Sequence, residues 1–158
     1  MNVATSIEAG PRLLLQDHHD ALQAACRDLM ADVYNDDTFS LTNRYRRFER
    51  AVLEHIDVEE RELLPGFTKY SRLDARMIRL QHAEIRDQLY RLGIDLELHR
   101  ARAERFAALI DALKRHVELE ETTLYPWARE NLSVHAKREQ FVRLGHSLRA
   151  LSRLRARA

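Results

Sequence analysis

One short phrase occurs twice in the chain, as residues 55–65 and as residues 116–126, with the pattern His-x3-Glu-Glu-x2-Leu-x-Pro. Residues four apart on an α-helix project from the same face, only about 40° out of line. Each copy therefore aims one imidazole and one carboxylate at a common point, His55 with Glu59 and His116 with Glu120. Nitrogen and oxygen donors held together in this way are typical ligands of a transition metal.

A second histidine precedes each phrase and extends the repeat backwards. His19 and His82 both carry apolar residues at positions +3, +7 and +10, which is the pattern of an inward-facing position on an amphipathic helix. His18 has two alanines and an aspartate at those positions, so we prefer His19 as the inward residue and expect His18 at the surface. The choice between His18 and His19 as the ligand stays open. The chain then consists of two copies of one helical hairpin, which makes four helices.

The composition of these 158 residues predicts an all-α protein, since Gly and Pro are rare and 45% of the residues are hydrophobic. Start and stop signals predict helix 1 from Gly10-Pro11 to about Tyr34, helix 2 from 40–42 to Pro65-Gly66, helix 3 from about Leu73, and helix 4 from 99–103 to Pro126. We expect an up-and-down four-helix bundle over residues 1–132. Residues 133–158 are expected to form an additional, basic and amphipathic C-terminal helix or tail.

A bundle of this kind would bring six side chains to one level of its interior: His19, His55, Glu59, His82, His116 and Glu120. Six ligands are too many for one tetrahedral zinc ion but suit two ions, because a carboxylate can bridge two cations. Burying two glutamates without cations would cost several kcal/mol per charge. The pattern therefore predicts two metal ions, with the four imidazoles as terminal ligands and the two glutamates as bridges.

Over roughly residues 12–130 the chain resembles the hemerythrin-like (hemerythrin HHE cation-binding) domain family. The resemblance is carried by His19, the phrase 55–65, Gln81-His82 with Ile85, and the phrase 116–126. It implies a four-helix bundle around a non-haem di-iron centre, that is, two iron ions with a bridging oxo or hydroxo group. It also implies a small ligand such as O2, peroxide or NO.

The chain departs from the oxygen-carrying hemerythrins at two positions. Those proteins place another histidine four residues after the helix-3 histidine, where this chain has Arg86. They also place an aspartate five residues after the last histidine, where this chain has Glu121, with the better-placed Glu120 just before it. With one imidazole fewer, the pattern is closer to family members that sense iron, oxygen or oxidants. Arg86 is expected to pair with a nearby carboxylate or to attract a small anion.

Several residues close to the six predicted ligands are expected to have structural roles. Glu60 and Glu121 should face a neighbouring helix or solvent, because each lies about 100° round the helix from the preceding glutamate. Cys26 should pack in the core. Tyr125 and Trp127 should close the end of the bundle.

The sequence therefore predicts a cytoplasmic di-iron protein that senses or stores oxygen or iron, or protects against oxidants, and that binds rather than turns over a substrate. A net charge of +1 gives no reason to expect nucleic acid, and the absence of a long apolar run makes a membrane location unlikely. The single cysteine fits a reducing compartment. The spacings Glu-x-x-His and His-Glu-x-x-His and a glycine-rich phosphate loop are all missing.

Two other interpretations stay open. In one, the protein is a metal-dependent signalling or interaction module that contacts a protein partner, or a second copy of itself, through its C-terminal helix. In the other, the bundle binds no metal, or binds zinc or manganese, because ligand type alone does not select the metal.

Overall fold

Helices make up most of the part of the chain that the computed structural model describes, residues 10–34, 38–133, 142 and 146. They are α1 (Gly10–Tyr34), α2 (Thr38–Val58), α3 (Leu64–Tyr70), α4 (Arg72–Glu97), α5 (Ala103–Thr122) and α6 (Leu124–Asn131). A turn of π-helix, Glu59–Leu63, joins α2 to α3. The predicted helix 1 is confirmed, and α2, α4 and α5 begin within a few residues of their expected positions.

Four long rods pack side by side, formed by α1, by α2 with α3, by α4, and by α5 with α6. Helix α1 contacts α2 and α5, and α4 contacts the same two helices from the opposite side. This arrangement confirms the predicted four-helix bundle. The predicted C-terminal helix lies outside the described residues apart from Val142 and His146, which are helical. The division at residue 132 therefore stays a prediction.

Among the residues that the structure describes, nearly all buried apolar side chains belong to one of two clusters. The larger one includes Cys26, Phe48 and Phe106, and the smaller one includes Leu63 and Phe67. Along α2, α4 and α5, the predicted site residues come between the members of the two clusters, so the site occupies the level between them. Among the described helices, none has the length and apolar character that crossing a bilayer requires.

The second helix was expected to kink or end at Pro65-Gly66, but helical structure does not end there. The rod continues to Tyr70, because the π-turn that begins at Glu59 absorbs an extra residue and Leu64 donates its N–H to the carbonyl of Glu59. Pro65 then lies in the first turn of α3, where a missing N–H is tolerated.

The second copy of the phrase takes a different course. Helix 4 was expected to run to Pro126, but α5 ends at Thr122 and α6 begins at Leu124. Thr123, with φ −125° and ψ −63°, forms the break. Pro126 lies in the first turn of the new helix, as Pro65 does in α3. The two copies of the phrase therefore have different backbone structures: the first contains a π-turn and the second contains a break between two helices.

Substitution by alanine at two glycines on different rods should change the free energy of unfolding in opposite directions. A Cβ on Gly66 would lie 2.8 Å from Cη2 of Trp127, which packs against Phe67, whereas a Cβ on Gly93 would meet Tyr45 at 3.5 Å. We expect Gly66→Ala to lower the free energy of unfolding by about 1 kcal/mol or more through overpacking. Gly93→Ala, inside α4, should raise it by about 0.5–1 kcal/mol.

Urea unfolding of both variants beside the parent chain measures this difference. Equal changes in the free energy of unfolding for the two variants would show that the close contact of Gly66 with Trp127 does not limit packing.

Candidate metal centre

All four rods contribute to one buried cluster of imidazoles and carboxylates. Its members are His19 on α1, His55 on α2, Glu59 at the start of the π-turn, His82 on α4, and His116 and Glu120 on α5. None of the six is more than 2% exposed. The structure thus brings all six sequence-predicted residues together, and each histidine directs its Nε2 into the cluster.

Four of these residues form a first group that could hold a metal ion: His19, His55, Glu59 and Glu120. The two Nε2 atoms lie 3.0 Å apart. His55 Nε2 lies 3.1 Å from Glu59 Oε1, and His19 Nε2 lies 3.4 Å from Glu120 Oε2. Donors at about 2.1 Å from one ion are separated from each other by roughly 3 Å, so these spacings fit a single coordination sphere.

The second group consists of Glu59, His82, His116 and Glu120. His116 Nε2 lies 3.2 Å from Glu120 Oε1, and His82 Nε2 lies 3.4 Å from Glu59 Oε2. None of these four atoms has a hydrogen-bond partner within the described part of the chain, although all are buried. Buried polar atoms without partners are costly, and four of them facing one another fit a cation that would satisfy them together.

The two groups share Glu59 and Glu120, and each carboxylate presents one oxygen to each group. Oε1 of Glu59 faces His55 while its Oε2 faces His82. Oε2 of Glu120 faces His19 while its Oε1 faces His116. This is the placement that two bridging carboxylates would require.

Hydrogen bonds on the outer side orient two of the imidazoles. Nδ1 of His82 lies 2.9 Å from Oε1 of Glu60, and Arg86 donates two hydrogen bonds to the same carboxylate at 2.8 and 2.9 Å. Nδ1 of His116 lies 3.3 Å from Oε1 of Gln81. A proton on Nδ1 leaves the Nε2 lone pair free for a metal. Arg86 thus pairs with a carboxylate, which was one of its two expected roles.

Burial and mutual charge shift the pKa values within the cluster. Burial raises the pKa of Glu120 to about 8, with help from the neighbouring Glu59 carboxylate. Burial disfavours protonated His82, but the adjoining carboxylates of Glu120 and Glu59 outweigh it and raise the pKa of His82 to about 10. Burial lowers the pKa values of His19 and His116, which keeps both neutral as ligation requires.

Sequence reasoning misplaced two residues. His18 was expected at the surface but is fully buried, with its ring stacked on His55 at 4.8 Å between centroids, and it belongs to neither group. Tyr125 was expected to close the end of the bundle, but its hydroxyl enters the first group. The sequence did contain a signal for Tyr125. The matching position of the first phrase is the apolar Leu64, so the hydroxyl of Tyr125 is not part of the repeated pattern.

The fold and this cluster define a helical bundle with an interior suited to cations. The chain belongs to the hemerythrin family, because the family model described as Hemerythrin HHE cation binding domain matches residues 73–157, more than half of its length. The match includes α4 to α6 and continues beyond residue 132, whereas the resemblance read from motifs was placed over residues 12–130. No curated protein and no solved structure matches the chain.

The raised pKa of His82 predicts how the stability of the metal-free protein varies with pH. A pKa that folding raises from 6.5 to about 10 adds stability that is complete below pH 6.5 and is lost as the pH rises toward 10. Glu120 acts in the same direction up to about pH 8. We expect the free energy of unfolding to fall by about 3 to 4 kcal/mol between pH 7 and pH 9, with the larger part from His82 and the rest from Glu120.

Urea unfolding of the metal-free chain at the two pH values tests this expectation. His82→Gln cannot take up the proton and should lose most of the pH dependence. Equal free energies of unfolding at pH 7 and pH 9 in the parent chain would contradict a protonated His82.

Proposed function

We propose that this protein binds two iron ions in a non-haem di-iron centre and uses them to bind O2, peroxide or NO, in sensing, storage or protection against oxidants. His19 and His55 would be terminal ligands of one ion, and His82 and His116 of the other. Glu59 and Glu120 would bridge them. The observation that carries the proposal is that two four-residue groups share the same two carboxylates, with a different oxygen turned toward each group.

The donor set supports iron as the metal. Two imidazoles with two shared carboxylate oxygens form a mixed nitrogen and oxygen environment, and it lies close to two further polar groups, the half-buried Glu60 and the buried Tyr125. A ferrous pair held there would supply an electron source and an open coordination position for a small oxidant or gas. The chain itself would exclude water from the cluster and hold the imidazoles in the required tautomers.

A small cavity beside the cluster supports a diatomic ligand. It has a volume of about 20 Å³ and is lined by His19, His55 and His116 together with the apolar side chains Leu22, Val52, Ile56 and Leu113. A space of this size holds one water-sized molecule. Its apolar walls favour an uncharged molecule such as O2 or NO.

The cell compartment is part of the same proposal. Cys26 is buried in the larger apolar cluster, and burial raises the pKa of its thiol to about 12. A protonated, inaccessible thiol with no second cysteine in the sequence is compatible with the reducing cytoplasm.

Anaerobic loading with Fe²⁺, followed by metal counting, tests the proposal. We expect two irons per chain and an absorption spectrum that changes on exposure to O2. Glu59→Gln removes a carboxylate oxygen from both groups and should lose at least one ion, whereas Glu118→Gln, on the exposed side of α5, should retain two. Loading with Zn²⁺ or Mn²⁺ in parallel compares the metals.

Failure of the parent chain to bind iron while it keeps its helical circular-dichroism spectrum would refute the proposal. A chain that takes up two Zn²⁺ or Mn²⁺ ions but not two Fe²⁺ ions would refute its choice of metal.

Glu60 should control metal affinity without touching a metal. Glu60→Gln weakens the partner of His82 Nδ1 and the ion pair with Arg86, so the imidazole loses its orientation. We expect the affinity for the second ion to fall by about 10–100-fold. Competition with a chelator measures this affinity. Glu84→Gln, which breaks an exposed pair with Arg115, is the matched control. Equal affinities of the two variants would assign Glu60 no role at the centre.

A further inference from the structure

The phenol oxygen of Tyr125 lies inside the first of the two groups. It is 2.7 Å from Glu59 Oε1, 2.9 Å from His19 Nε2 and 3.2 Å from Glu120 Oε2. These distances match the separation of roughly 3 Å expected between donors that surround one ion. The oxygen therefore lies where a further donor to that ion would have to be.

The break between α5 and α6 directs the ring to this position. On an uninterrupted helix, Glu120 and Tyr125 would project about 140° apart, because successive residues turn by about 100°. Thr123 interrupts the helix, and both side chains then converge on Glu59. The ring of Tyr125 also lies against the imidazole of His19, with centroids 5.3 Å apart.

The first phrase of the internal repeat has an apolar residue at the position that corresponds to Tyr125. Leu64 occupies the equivalent place in the first phrase, nine residues after His55, and it is fully buried in the smaller apolar cluster. An apolar side chain thus satisfies the packing there. The phenol oxygen at Tyr125 is an additional polar group, and it is brought into contact with three cluster residues.

Only one of the two groups receives such an oxygen. The second group has four facing donor atoms that lack hydrogen-bond partners among the described residues, so the phenol makes no hydrogen bond to them. The two groups have equal sets of imidazoles and share both carboxylates. Tyr125 therefore gives the first group a donor oxygen that the second group lacks.

We propose that Tyr125 is a phenolate ligand of the ion held by His19 and His55, so that the two ions of the centre are inequivalent. The proposal rests on the di-iron function proposed above. On loading, the O–H bond of the phenol breaks, its proton leaves to solvent, and the oxygen forms a bond to the ion. The ion beside His82 and His116 then has one protein ligand fewer and is the more open of the two.

Spectroscopy of the iron-loaded full chain tests this assignment. After anaerobic loading with Fe²⁺, metal counting and oxidation, a phenolate bound to Fe³⁺ gives a visible charge-transfer band. Excitation in that band enhances the ring vibrations of the bound tyrosine in the Raman spectrum. We expect Tyr125→Phe to bind two irons and to lose the band and these vibrations completely. Tyr45→Phe removes another buried phenol, hydrogen-bonded to the carbonyl of Leu89, and should retain both.

Each result has a defined meaning. Two irons in the parent chain without phenolate vibrations, or vibrations that persist in Tyr125→Phe, overturn the proposal and leave the di-iron function intact. A parent chain that binds no iron overturns both. If Tyr125→Phe loses its iron, 3-fluorotyrosine placed at position 125 keeps the phenol and decides the question, because the charge-transfer band must then shift. An unshifted band overturns the assignment.

Discussion

Two carboxylates buried side by side among four imidazoles are the constraint on which the rest of this structure depends. Ionised acids in a dry interior are costly, and here Glu120 keeps a proton up to about pH 8 while His82 takes up another. The protons on Glu120 and His82 thus offset the negative charge of the buried carboxylates. Two cations would replace those protons and would also satisfy the four facing atoms of the second group that have no hydrogen-bond partner among the described residues.

Interruptions of the helices set the positions around this cluster. The π-turn begins at Glu59 itself, and the break at Thr123 follows Glu120 by three residues. Both interruptions accommodate a proline in the Leu-x-Pro end of a repeated phrase. Because one rod stays continuous and the other breaks, equivalent side chains have different environments. Leu64 packs in an apolar cluster, whereas Tyr125 reaches the carboxylates.

Contacts outside the cluster connect it to the protein surface. Glu60 is half-buried and joins His82 to Arg86, so a charge on the outer face of α4 bears on the orientation of a buried imidazole. Arg86 stands where the oxygen-carrying hemerythrins have a further histidine, and in this chain it supports His82 from outside.

The sequence by itself determined the four-helix plan and the pairing of each histidine with a glutamate four residues later. Those relations lie within single helices, whose 3.6-residue period is fixed by backbone hydrogen bonds. Only the tertiary structure decided which carboxylate oxygen faces which group, that His18 is buried, and that Tyr125 enters the cluster. These outcomes depend on how rods pack and where a helix breaks, and contacts between residues 36 to 106 positions apart leave no periodic trace along the chain.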